Sequence, residues 1–319
     1  MRLRAAWIGI ILLGLAACKP RNPLDVDVSN IPVRIRIDRF DQKFYGADTS
    51  RLPELKRQYP FLFDASVPDS VWKAKMQDTL LLKVKKQVDS VYPDNRFLEK
   101  ELTGLFKHIK YYFPKFHEPS ILTLYSDWKY TRRSYYLDTL DLLFIDNFLG
   151  AGNPIYNGMP LYIRQTETPA HLAPAVAESI AENLVPYPKT HTLLNKMIYY
   201  GKLLYLQKAF LPRVPDSVLL KYSAEKMKWA RDNEANVWLY FLDKKLLYST
   251  DPKLDARFLD WAPFSKFYTA VDNQSAGMIG RYLGYRIVSE YMRRTGASLN
   301  QLIRTDAETI FRQSKYKPD

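Results

Sequence analysis

The chain is short of cysteine, histidine and glycine-rich signatures, and each shortage removes a class of function. It has one cysteine in 319 residues, Cys18. An intramolecular disulfide and any multi-cysteine metal site are therefore excluded. The four histidines are His108, His117, His171 and His191. No two stand four residues apart, the helical spacing that lets both imidazoles reach one zinc ion, so surface or satisfied-core roles are expected of them. No Gly-x-Ser-x-Gly elbow, Walker loop or Gly-x-Gly-x-x-Gly fingerprint occurs, and Gly150-Ala151-Gly152-Asn153-Pro154 reads as a turn. Asp25-x-Asp27 lacks the glycine and the terminal glutamate of a calcium loop.

What is present begins at the N-terminus. Arg2 and Arg4 precede an apolar run from Ala5 to Leu15, followed by Ala16-Ala17-Cys18. That order is the one found in a signal peptide. The run is too short for a bilayer span, which needs roughly 20 apolar residues, and charge returns at Lys19 and Arg21. Leu15-Ala16-Ala17-Cys18 resembles the bacterial lipobox, in which the cysteine is acylated and becomes the first mature residue. The expectation is a signal peptide over residues 1–17 and a lipidated tether over 18–31, with thiol catalysis removed by acylation. Net charge is +13, and removal of Arg2 and Arg4 leaves +11 on the mature chain. Such a surface favours anionic lipid, glycan or acidic partners. Export argues against nucleic acid.

Hydrophobic residues make up 47% of the chain and aromatics 14%, enough for a substantial core. Val33, Ile35 and Ile37 alternate with Arg34, Arg36 and Asp38, which predicts a strand. Trp72, Met76, Leu80, Val84 and Val88 recur every four residues and predict one helix from Ser70 to about Val91. A second helix is expected over Phe97–Tyr111, a strand over Ile121–Tyr125, and strand or hairpin over Tyr135–Phe148. Asp138, Asp141 and Asp146 fit solvent-facing strand positions as well as they fit paired carboxylates for acid–base work. Beyond Pro169 helical periodicity dominates: Ala175–Leu184, Leu193–Phe210, Ala224–Leu247, a stretch through Met292 carrying Gly277, Gly280 and Gly284 for close helix contact, and a last helix from near Ser298. Lys107–Lys115 is basic and aromatic and is expected to pack on the core.

Several segments in order carry a family resemblance. They are Asp38-Arg39-Phe40-Asp41, Tyr59-Pro60-Phe61, His108-Ile109-Lys110-Tyr111-Tyr112-Phe113-Pro114, Val185-Pro186-Tyr187-Pro188, Met197-Ile198-Tyr199-Tyr200-Gly201-Lys202, Leu247-Tyr248-Ser249-Thr250-Asp251-Pro252-Lys253, Ala262-Pro263-Phe264-Ser265-Lys266-Phe267-Tyr268 and the Ser314-Lys315-Tyr316-Lys317-Pro318 ending. Behind a lipobox, this succession resembles the GldB family of gliding-motility lipoproteins of Bacteroidetes. The resemblance implies a role in the envelope machinery of gliding or its associated type IX secretion, with protein partners there; Lys19 gives no aspartate retention cue, so the periplasmic face of the outer membrane is the expected place, with the inner membrane and surface display as the alternatives.

A fainter likeness is to zincin-like metalloproteases. Ala177-Glu178-Ser179-Ile180-Ala181 stands where those enzymes carry His-Glu-x-x-His, and Tyr200-Gly201 where they carry a Glu-Gly pair. The likeness implies a degenerate site at Ala177, Glu178, Ala181 and Tyr200, because methyl groups cannot ligate zinc. Ordinary helix sequence explains Ala-Glu-x-x-Ala equally well.

The expected architecture is α+β and predominantly helical, zincin-like if the second likeness holds. One domain spans residues 32–319, α/β to about 168 and mainly helical over 169–319. The expected role is non-catalytic, with no metal and no cofactor. The alternatives are an envelope hydrolase with an unconventional site, with Glu178 as its first acid, and a module that binds anionic glycan or lipid.

Overall fold

A computed structural model describes residues 23–127 and 129–318. Cys18 and its preceding Leu15, Ala16 and Ala17 lie outside the described residues, as does the signal peptide. Among the described residues, no helix is long and apolar enough to cross a membrane.

The strands are β1 (Arg36–Asp38), β2 (Ser120–Leu124), β3 (Ser134–Tyr136) and β4 (Leu140–Phe144), in sheet order β1-β2-β4-β3. β1, β2 and β4 run parallel, and β3 is an antiparallel edge strand. β3 and β4 form a hairpin whose turn puts Asp138 at φ +61, the left-handed conformation that aspartate tolerates better than most residues. The helices of eight or more residues are α1 (Asp69–Met76), α2 (Thr79–Val91), α3 (Arg96–Tyr112), α4 (Leu172–Leu184), α5 (Leu193–Phe210), α6 (Ala224–Asp232), α7 (Glu234–Asp243), α8 (Ile279–Thr295) and α9 (Ala307–Ser314). The α+β, mostly helical architecture agrees with the sequence.

Three expected helices are each divided. Between α1 and α2 the Asp78 carboxylate accepts the backbone N–H groups of Leu80 and Leu81 and starts a new helix, so Leu80 leaves the stripe and is 56% exposed. A capping aspartate overrides the four-residue apolar repeat there. Between α6 and α7, Asn233 ends one helix and opens the next at φ −110 and ψ 10, with its amide donating to the Trp229 carbonyl. At the C-terminus, Ser298 and Gln301 form a capping box for Leu299–Arg304 before Asp306 caps α9, which makes two helices where one was expected.

The tether expectation also shortens. Leu24 packs on the core, Lys107 donates to the Ser29 carbonyl and Lys110 to the Pro32 carbonyl. From Leu24 the chain is therefore held against α3, which also explains the basic Lys107–Lys115 stretch. Phe113 of that stretch packs edge-on against Phe210.

α5 is the axis of the helical half. It is apolar around most of its circumference because α3, α4, α8 and α9 all contact it. Gly201 and Gly284 allow its closest approach to α8. A Cβ on Gly284 would stand 1.8 Å from the Met197 carbonyl oxygen, and one on Gly201 would stand 2.3 Å from the Gly284 carbonyl oxygen. Gly277, expected on the same helix, precedes it, and its hydrogen instead faces the Ala262 carbonyl, where a Cβ would stand 2.0 Å away.

These distances generate a prediction. Gly284→Ala must push two backbones apart and should cost about 3 kcal/mol or more, whereas Gly104→Ala in α3 meets nothing within 4 Å and should stabilise by about 0.5–1 kcal/mol. Denaturant unfolding of the two variants checks this. Equal stabilities would contradict the α5–α8 contact.

Candidate functional site

Helical spacing places Ala175, Glu178, Ser179 and Glu182 of α4 on one face, three and four residues apart. That face closes a polar cleft of about 140 Å³ with Arg132, Arg133 and Ser134 at the start of β3, Tyr200 of α5, Lys221, Trp261 and Arg281 of α8. A roomier cavity of about 590 Å³ lies between residues 25–29, the middle of α3 and the end of α5, and its charged side chains, Asp25, Asp27, Lys100, Glu101 and Arg213, stand among apolar ones. His108 stands there, its Nδ1 against the Gly104 carbonyl at 2.8 Å.

The centre of the cleft is an ion pair. Lys221 Nζ donates to Glu178 Oε2 at 2.8 Å, the two side chains being 19% and 25% exposed. Burial disfavours the Glu178 carboxylate, yet Lys221, with Arg281 and Arg133 behind it, holds its carboxyl below the usual range. Burial pushes Lys221 down, with Glu178 resisting and Arg133 adding to the shift. The lysine reaches this place from an unusual backbone. It follows the short helix Asp216–Leu219 at φ +58, with its N–H on the Val218 carbonyl and that of Tyr222 on the Ser217 carbonyl. This is a Schellman closure, at a position glycine usually fills and where a side chain costs about 1 kcal/mol. The loop thus accepts strain and delivers an ammonium to Glu178.

Aromatic rings and further cations complete the walls. Trp261 has the Lys221 ammonium 5.3 Å and the Arg133 guanidinium 5.1 Å from its ring. Arg133 is itself buried, donating to the Thr166 carbonyl and hydroxyl and pairing with Glu167. Burial, opposed by Arg133, raises the Glu167 carboxyl to about 7. Arg281 lies 3.9 Å over the Tyr200 ring and donates from Nε to the Leu259 carbonyl at 2.6 Å. At the outer edge Arg132 pairs with Glu182 at 3.3 Å. The Glu182 carboxyl is raised by burial and by the neighbouring Glu178. His171, just before α4, is pushed down to about 3 by burial and by Arg133 and Lys221, and so is neutral.

The structure redistributes the residues singled out from sequence. Glu178 and Tyr200 line the cleft, but Ala177 and Ala181 do not. Both are fully buried in the core, because they lie one helix position away from the cleft face. The cleft-facing residues at four-residue spacing are instead Glu178 and Glu182. A divalent metal does not fit this donor set. The nearer carboxylate is taken by Lys221, and four cationic side chains surround the space. Among the described residues no three of His, Cys, Asp and Glu gather to hold a metal ion.

The aspartates also require correction. Asp141 and Asp146 are 0% and 7% exposed, not solvent-facing, and only Asp138 is at the surface. Asp141 turns from β4 toward α4, where Ser134 Oγ donates to it at 2.8 Å and Ser179 Oγ at 3.4 Å. Asp146 accepts from the Ser126 N–H and hydroxyl. Lys221, Trp261, Arg132 and Arg133 were missed from sequence, since they come from connections distant in the chain. Arg281 lay unremarked inside the glycine-bearing segment.

Two measurements test the site. Burial raises the Asp141 carboxyl to about 7, against donation from Ser134 and Ser179. Between about pH 4 and 7 the folded state therefore keeps a proton that the unfolded chain has lost. The stability this confers is complete below about pH 4 and lost as pH rises through about 7. Asp141→Asn should gain relative to the wild type by up to about 4 kcal/mol between these limits in denaturant unfolding, and a constant difference would contradict the assignment. For the ion pair, a double-mutant cycle with Glu178→Gln and Lys221→Met should give a coupling of about 1–3 kcal/mol. Simple additivity would mean that the pair contributes nothing.

The family model for gliding motility protein GldB matches residues 21–318. No curated protein and no solved structure matches significantly. The match covers the sheet, the helical half and every residue of the cleft, and the chain belongs to the GldB family of gliding-motility proteins.

Proposed function

We propose that this chain is a lipid-anchored envelope protein, held through Cys18 on the periplasmic face of the outer membrane, that supports gliding motility or type IX secretion by binding and not by catalysis. The observation that carries the non-catalytic reading is the occupancy of the cleft. The place of a reactive centre is taken by the Glu178–Lys221 pair, with Arg133 and Arg281 close by. A hydrolytic water needs a metal or a free base, and here the carboxylate is neutralised by an ammonium.

Two features support a zincin-like ancestry. The sheet is parallel except for one antiparallel edge strand, β3, and the next long helix, α4, packs against that strand. Of the four cleft-facing residues of α4, Glu178, Ser179 and Glu182 have the i, i+1, i+4 spacing of His-Glu-x-x-His one position later than the sequence likeness placed it. Glutamates stand in place of both histidines in this register, with serine in place of the acid.

The anchor and the role are tested in cells. Radiolabelled palmitate should enter the wild-type chain and not the Cys18→Ala variant, and label retained by that variant would overturn the anchor. Deletion in a gliding strain should stop colony spreading, restored by the wild-type chain and poorly by Cys18→Ala. Unchanged spreading after deletion would overturn the gliding role.

A further inference from the structure

The cleft holds an imbalance that the ion pair does not resolve. Four cationic side chains, Arg132, Arg133, Lys221 and Arg281, line it against two carboxylates, Glu178 and Glu182. Arg133 has a carboxylate of its own behind the wall in Glu167, and Lys221 and Arg132 have Glu178 and Glu182. Arg281 is the cation left over. Among the described residues it enters no salt bridge, and its one hydrogen-bond acceptor is a backbone carbonyl. Arg281 is half-buried and acts on Glu178 and Glu182 only through space, so an anion in the cleft would give it the contacting partner that the other three cations already have. The site could have been neutralised by one more acid, and it was not.

Geometry adds direction. Tyr200 holds the Arg281 guanidinium over its ring and Nε is used on the Leu259 carbonyl, leaving the two terminal nitrogens as the part able to meet a ligand. Lys221 is fixed by its strained turn and by Trp261, and one of its three protons is used on Glu178. On the floor, Ser134 donates its hydroxyl proton to Asp141, and the Ser179 hydroxyl is engaged among Asp141, Ser134 and the Val176 carbonyl. The donors left to meet a ligand in the cleft are nitrogens, and the Glu178 and Glu182 carboxylates are each already drawn toward a cation, Lys221 and Arg132.

We infer that the cleft is a binding site for a compact oxyanion, a carboxylate or a phosphate, held by Arg281 with Lys221 and Arg132. Forked guanidinium donors suit either group, and a volume of about 140 Å³ admits one such group and excludes a large ligand body. The inference goes beyond the envelope role proposed above and does not depend on the lipid anchor. It would place a recognition function in a cleft where hydrolysis has no means.

Titration calorimetry of the full mature chain with inorganic phosphate and with acetate, each at constant ionic strength against sodium chloride, tests it. Saturable binding near one per chain is expected for at least one anion, and which anion binds separates a phosphate from a carboxylate source. Arg281→Gln should weaken binding about tenfold or more. Arg132→Gln, at a half-exposed position that folding tolerates, should weaken it several-fold. Arg293→Gln, in a different basic cluster and 67% exposed, should change nothing. Absence of saturable binding for both anions would overturn the inference, as would binding by folded Arg132→Gln and Arg281→Gln at wild-type strength.

Discussion

The ion pair between Glu178 and Lys221 is the constraint around which the cleft is organised. A carboxylate on the inner face of a buried helix cannot remain charged alone, and the nearest means of satisfying it lies more than forty residues later in the chain. The connection after Asp216–Leu219 meets that need by adopting a left-handed residue where glycine would be cheaper. Trp261 then lies against both Lys221 and Arg133, so one ring shares the packing of two cations. Electrostatics, loop conformation and aromatic packing at this site are thus consequences of a single charge placed on α4.

A second constraint holds the walls at the correct separation. The α5–α8 contact through Gly201 and Gly284 brings the Arg281 guanidinium over the Tyr200 ring, one residue before the first glycine and three before the second. The closeness of the helices and the stacking in the cleft are two views of the same approach. Under the floor, Asp141 ties β4 to β3 through Ser134 and to α4 through Ser179. The sheet and the helical half therefore meet at a buried carboxyl that burial keeps partly protonated near neutral pH.

Much of this fold was legible in the sequence, and the exceptions have physical causes. α5 was readable to the residue, since most of its length is apolar and Pro212 follows its end. The hairpin, α3 and the family were readable as well. The breaks at Asp78 and Asn233 were not, because a local side-chain cap competes with periodicity and leaves little mark in a hydropathy pattern. Asp141 was misplaced because alternation shows that a residue faces one side of a sheet without showing which side α4 covers. The cleft was half legible. Glu178 and Tyr200 stood in a recognisable pattern, but the alanines beside Glu178 were assigned to the cleft when they face the core. Lys221 is joined to the site only by tertiary folding, and its sole local trace is a short helix that ends without glycine.

The cleft depends on the Lys221 ammonium, in place of a metal ion, to neutralise Glu178. Elemental analysis of the mature chain, purified without chelator and then dialysed against zinc and buffer, tests that dependence directly. Zinc far below one equivalent per chain is predicted, because cations already surround the carboxylates. One tightly held zinc per chain that disappears in Glu178→Gln would contradict it.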